Sequence, residues 1–179
     1  MKKRLISELT RLYTGELASI LVFYILYYLK FKVIIPAVFY PLTVLCFILF
    51  QGAAYWFICF QRLKGKKIKN VGNVFYILKY LNIVLIGLSV PVILLSDYDN
   101  IFYMITGLFL FAFSLVEWVN YYVFRLSYRN PKRIIDLIKH NKLKRSQLAK
   151  EISERWMNAY GIVIYSKIKI DRRQLFVYS

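Results

Sequence analysis

The sequence predicts an all-α polytopic membrane protein: four transmembrane helices with both chain ends on the cytoplasmic side, then a basic cytoplasmic tail of two amphipathic helices that can close in a short β-hairpin. Three observations lead there. The 179 residues are 59% hydrophobic with a mean hydropathy of +0.49, which excludes a disordered chain. Four charge-poor apolar stretches are close to the roughly 20 residues a helix needs to cross a hydrocarbon core. Of the 26 Lys and Arg, against 9 Asp and Glu, 23 are crowded into segments that all fall on one side of those stretches. Residues 1 to 124 are read as the bundle and 125 to 179 as the tail.

Residues 1 to 16 carry Lys2, Lys3, Arg4 and Arg11. They resemble the charged start of a signal peptide, but no small-residue cleavage site follows, so the segment is expected to be retained. The first span is placed at about 12 to 29. Glu16 sits near its start, and its uncharged part is only about 20 Å long as a helix, short of the roughly 30 Å core. Lys30 and Lys32 then mark a tight turn.

The second span, 33 to 60, has no charge and is about 42 Å long as a helix, so it must tilt, protrude or begin distorted. Pro36 and Pro41 lie near its beginning, where a missing N–H does least harm or a kink is placed; a kink is expected at Pro41. Cys46 and Cys59, about 20 Å apart along this helix, cannot reach each other for a disulfide.

The stretch from 61 to 73 contains Arg62, Lys64, Lys66, Lys67 and Lys69 and no acid; Gly65 and Gly72 are expected to break any helix. The third span follows at about 74 to 95, interrupted by Lys79 and Pro91. An acidic turn at 96 to 100 leads to the fourth span, about 101 to 124, whose one charge is Glu117.

Orientation follows from the basic residues, which are held back on the cytoplasmic side. The first segment has four, the 61 to 73 loop five and the tail fourteen, whereas the two other turns have two and none. Four spans with both termini in the cytoplasm, most simply in a plasma (inner) membrane, put every heavy count on one side. Aromatic belts at the two interfaces are expected to account for Tyr24, Tyr27 and Tyr28 at the outer end and Tyr55, Trp56, Trp118, Tyr121 and Tyr122 at the inner end.

An ionisable side chain inside a span costs about 2.5–3.5 kcal/mol on insertion scales, so each calls for a partner or a wet cavity. Lys79 and Glu117 fall at nearly the same depth on helices joined by a short turn, which predicts an ion pair between them. Glu16, Gln51, Asn82 and Asn120 share that half of the bilayer. Together the six form an intramembrane polar cluster that either holds the helices together or lines a cavity facing the cytoplasm.

The tail has fourteen basic and four acidic residues, a net +10. Pro131 suits the first turn of one helix. Ser146 suits the cap of a second, in which Leu148, Ile152, Trp156 and Ala159 form a stripe and Glu151 and Arg155 pair. The stretch from 162 to 178 can form the hairpin. Lys132, Arg133, Lys142, Lys144 and Arg145 join the 61 to 73 cations in a basic surface, which would lie on anionic headgroups or pack beneath the bundle.

No catalytic motif is present: no phosphate-binding glycine loop, no nucleophile elbow, no paired histidines. With one histidine, His140, a metal site or catalytic triad within one chain has little to work with, and no cofactor or metal is expected. Residues 143 to 152 faintly resemble the first helix of a DNA-binding helix-turn-helix, but no recognition helix follows, so nucleic acid is not the expected partner. The expected function is non-enzymatic binding or accessory work, with membrane lipids, anionic in particular, or a protein partner or second copy on the basic face. The alternative is a subunit of a small transporter or channel using the Lys79 and Glu117 cluster. A lipid-modifying enzyme would require water to reach Glu16, Glu117 and Lys79.

Overall fold

The computed structural model describes residues 2–96, 100–124 and 145–153. Four helices follow in order: α1 (Lys2–Phe31), α2 (Pro36–Leu63), α3 (Val71–Leu95) and α4 (Ile101–Tyr122). Each is long and apolar enough to cross a membrane, and no strand occurs among the described residues. Helix α2 is the hub, packed against the other three, and α3 also packs on α4.

The helix ends follow local chemistry. Lys32 takes the left-handed conformation (φ 56°) and its N–H reaches the Tyr28 carbonyl at 3.1 Å, closing α1. Pro36 opens α2 in its first turn, where the missing N–H costs nothing. At the other end of α2, Gly65 (φ 95°) donates to Arg62 O and Lys66 donates to Gln61 O, a Schellman termination that requires the glycine. Gly72, expected to break helix, lies inside α3 instead and is buried. The first span is also longer than read from its apolar run: α1 begins at Lys2, because a charged turn outside the core is no obstacle to helix.

Pro41 lies within α2, which remains one helix. Proline has no N–H, so the Ala37 carbonyl one turn earlier loses its usual donor. Gly107 of α4 passes so close to that carbonyl oxygen that a methyl group on Gly107 would overlap it. The absent side chain brings α2 and α4 together at this crossing, with Ile93 of α3 alongside.

Buried side chains of α2 divide between two clusters. One, toward the α1–α2 turn, is built on Val38, Leu42, Leu45 and Leu49 with Leu110. The other, toward the loop after α2, joins Val44, Ile48 and Tyr55 to Phe75, Ile86, Tyr121 and Tyr122. Outward faces are apolar as well: Leu21, Leu29, Ile77, Leu94 and Phe109 are each more than 60% exposed. Apolar residues inside and outside are what a hydrocarbon solvent permits.

Residues 145–153 dock beneath the second cluster. Arg145 bridges to Phe124, and Ser146 N–H donates to Val123 O. The Ser146 hydroxyl accepts from Ala149 N–H at 2.9 Å, capping a short helix over 147–153 as its sequence suggested. Leu148 and Ile152 are buried in the cluster, so this part of the tail packs under the bundle. The expected tail helix after Pro131, the hairpin at 162–178, and Trp156 and Ala159 of the apolar stripe lie outside the described residues. We call the end of the bundle that carries Lys64–Asn70 and 145–153 the basic end.

Candidate functional site

The polar side chains near the basic end resolve into three groups. The innermost joins α2, α3 and α4. Gln51 Nε2 donates to Asn82 Oδ1 at 3.0 Å, and Asn82 Nδ2 donates back to Gln51 Oε1 at 2.7 Å. The Tyr122 hydroxyl also donates to Gln51 Oε1, at 2.5 Å. All three are buried, Asn82 completely. A buried carboxamide without partners costs about 1–3 kcal/mol, and here each amide satisfies the other.

The second group holds the carboxylates. Glu16 of α1 accepts from the Tyr121 hydroxyl, and Gly52 makes room for that ring, since a methyl there would overlap it. Glu117 Oε2 accepts from Asn120 Nδ2 at 3.3 Å, one turn along α4. Leu12, Glu16, Tyr55, Trp56, Asn120 and Tyr121 line a cleft of about 100 Å³ closed beneath by Ser146 to Leu148.

The expected Lys79–Glu117 ion pair is not formed. The side chain of α4 that reaches Lys79 is that of Trp118, whose Nε1 donates to the Lys79 carbonyl at 3.2 Å. One residue is about 100° of rotation, which turns Glu117 toward α1 and Asn120. The Lys79 ammonium lies 5.9 Å from the centre of the Tyr80 ring instead.

The third group is the basic end itself. Arg62 Nη2 donates to Glu151 Oε1 at 2.8 Å and to the Ile68 carbonyl at 3.1 Å. It therefore folds the loop after α2 and anchors residues 145–153 at once, while Tyr55 reaches Glu151 Oε2 at 3.4 Å. Arg62 is thus a structural cation served by Glu151; Arg155, the partner expected for Glu151, lies outside the described residues. Lys64, Lys66, Lys67 and Lys69 are exposed, as are Arg145 and Lys150. Lys132, Arg133, Lys142 and Lys144 lie outside the described residues.

The belt reading is corrected for the inner tyrosines. Tyr55, Tyr121 and Tyr122 are buried and direct their hydroxyls to Glu151, Glu16 and Gln51. A phenol can serve an interface or bridge helices, and composition does not distinguish them. Tyr28, by contrast, is 71% exposed near the opposite end. Tyr27 fastens the α1–α2 turn, donating to Val33 O and accepting from Ile35 N–H.

Toward the opposite end, the Tyr40 hydroxyl of α2 donates across to the Leu85 carbonyl of α3 at 3.2 Å, but Thr and Ser hydroxyls serve their own helices. Thr43, Ser89 and Thr106 donate to the carbonyls of Phe39, Leu85 and Phe102, each four residues back. Among the described residues no group of three or more His, Cys, Asp or Glu could hold a metal ion. The chain matches no protein-family model, no curated protein and no solved structure.

Proposed function

We propose that this chain is a non-enzymatic integral membrane protein of binding or accessory type, lying in the plasma (inner) membrane with both termini cytoplasmic, whose basic end engages anionic lipid. The observation that carries this reading is the division of labour among its cations. Arg62 is committed internally to Glu151 and Ile68 O. Lys64, Lys66, Lys67, Lys69, Arg145 and Lys150 are left exposed on one end of the bundle. Each basic residue near an anionic surface contributes about 1 kcal/mol, so six on one face give substantial attraction. An acidic protein partner would use the same face; nucleic acid is not proposed.

The test is lipid selectivity at the perimeter of the reconstituted protein. Spin-labelled phosphatidylglycerol should be motionally restricted in preference to phosphatidylcholine, with the preference falling as salt rises and in the Lys64→Gln/Lys66→Gln/Lys67→Gln/Lys69→Gln protein. Equal restriction of both lipids at low salt would refute it.

A second reading, a transporter or channel subunit that completes its path by oligomerising, draws on the cleft beside Glu16. The Thr and Ser hydroxyls toward the opposite end, each bonded within its own helix, weigh against it. Cation or proton flux in liposomes that is lost in Glu16→Gln would favour it.

A further inference from the structure

A larger groove than the carboxylate cleft lies on the other side of the basic end, between α3, the end of α4 and residues 145–153. Its volume is about 390 Å³, and its lining includes Tyr76, Lys79, Tyr80, Arg145, Ile152 and Ser153. That is room for on the order of ten waters, far more than a bridging solvent site needs. Among the described residues two cations line it and no carboxylate does. Among the described residues neither Lys79 nor Arg145 has an acidic partner.

The groove has a polar end and an apolar flank in a definite order. Helical Cα–Cβ bonds tilt toward the N-terminus, so the Lys79 stem points toward the basic end, where Arg145 is anchored to Phe124 by its backbone. Its guanidinium is thereby left for a ligand, and Arg145 is exposed. In the other direction the outward face of α3 continues as Tyr80, Val84 and Leu88, one turn apart and 50%, 58% and 48% exposed. A soluble anion would use only the first half of this arrangement. A phospholipid uses both: its phosphate between two cations and an acyl chain along the stripe.

We propose that this groove holds the phosphate of one anionic phospholipid, clamped by Lys79 and Arg145. The proposal rests on the membrane-inserted reading above and adds to it a single site of defined stoichiometry. The described lining offers two cations and no carboxylate to pair with the ammonium of a zwitterionic headgroup, which favours a headgroup carrying net negative charge. Guanidinium and ammonium together supply charge-assisted hydrogen bonds to the phosphate oxygens.

The experiment is native mass spectrometry of the full chain in mild detergent, titrated with phosphatidylglycerol, phosphatidylcholine or inorganic phosphate. One phosphatidylglycerol should bind at least about tenfold more tightly than phosphatidylcholine, and Arg145→Gln and Lys79→Met should each weaken it about tenfold. Millimolar inorganic phosphate should leave the bound lipid in place. Lys66→Gln/Lys67→Gln should leave this lipid bound while reducing the salt-sensitive perimeter preference, which separates failure of the site from failure of the broader reading. If Lys79→Met does not fold, Arg145→Gln carries the test alone, because its side chain is exposed. Equal binding of both lipids, unchanged affinity in Arg145→Gln, or displacement of the lipid by inorganic phosphate would each overturn the proposal.

Discussion

The carboxamides of Gln51 and Asn82 hydrogen bond to each other in both directions across the α2–α3 interface, at 3.0 and 2.7 Å, with the Tyr122 hydroxyl added from α4. Loss of Gln51 strands the Asn82 carboxamide and the Tyr122 hydroxyl in an apolar core, and loss of Asn82 strands Gln51 Nε2. Gln51→Leu alone should therefore destabilise the bundle by about 1–2 kcal/mol. Gln51→Leu/Asn82→Leu should recover part of that loss, because no amide is left unpaired. Thermal unfolding in detergent measures both; additive losses would show that the two residues act independently.

Arg62 and Glu151 form a partly exposed pair, with side chains 35% and 24% accessible. Screening limits its contribution to about 0.5–1 kcal/mol. Its main effect is local: Glu151→Gln should increase hydrogen exchange at the amides of Ala149 and Lys150, which bond to Ser146, without altering exchange in α2. Increased exchange spread through the whole bundle would assign the pair a global role instead.

At the α2–α4 crossing, Gly107→Ala should cost about 1–3 kcal/mol, because its methyl would meet the Ala37 carbonyl, which as backbone cannot turn aside. Gly87→Ala is the internal control. A methyl at Gly87 meets nothing within 4 Å, so this change should be neutral or stabilising by up to about 1 kcal/mol. Equal melting temperatures for the two variants would contradict the close approach.

Lys32 holds a left-handed conformation without being glycine. Lys32→Gly relieves the Cβ conflict and should stabilise the α1–α2 turn by about 0.5–1 kcal/mol, seen as a rise in melting temperature of the detergent-solubilised protein. A fall would mean that the Lys32 side chain contributes more than its backbone strain costs.

Much of this architecture is legible in the sequence because apolar length is a one-dimensional property. The four spans, the termination at Gly65, the cap at Ser146 and the isolation of the two cysteines all follow from local spacing. What was not legible depends on rotation and on distant partners. Depth along a helix placed Lys79 level with Glu117, but a rotation of about 100° put Trp118 opposite Lys79 and left Glu117 to Asn120. Gln51 and Asn82 are both out of place in lipid by residue type, yet their reciprocal pairing depends on how α2 faces α3. Buried Tyr121 and Tyr122 have the same composition signal as interfacial tyrosines. The groove between Lys79 and Arg145 is built from residues far apart in the chain, and only folding brings them to one wall.

The proposed function requires the basic end to lie on the cytoplasmic side of a membrane that the bundle spans. Single cysteines introduced as Lys67→Cys and Asn100→Cys, in a chain carrying Cys46→Ala and Cys59→Ala, test this with a membrane-impermeant maleimide. Lys67→Cys should label only in inside-out vesicles and Asn100→Cys only in right-side-out ones. Labelling of both from the same side would contradict the account.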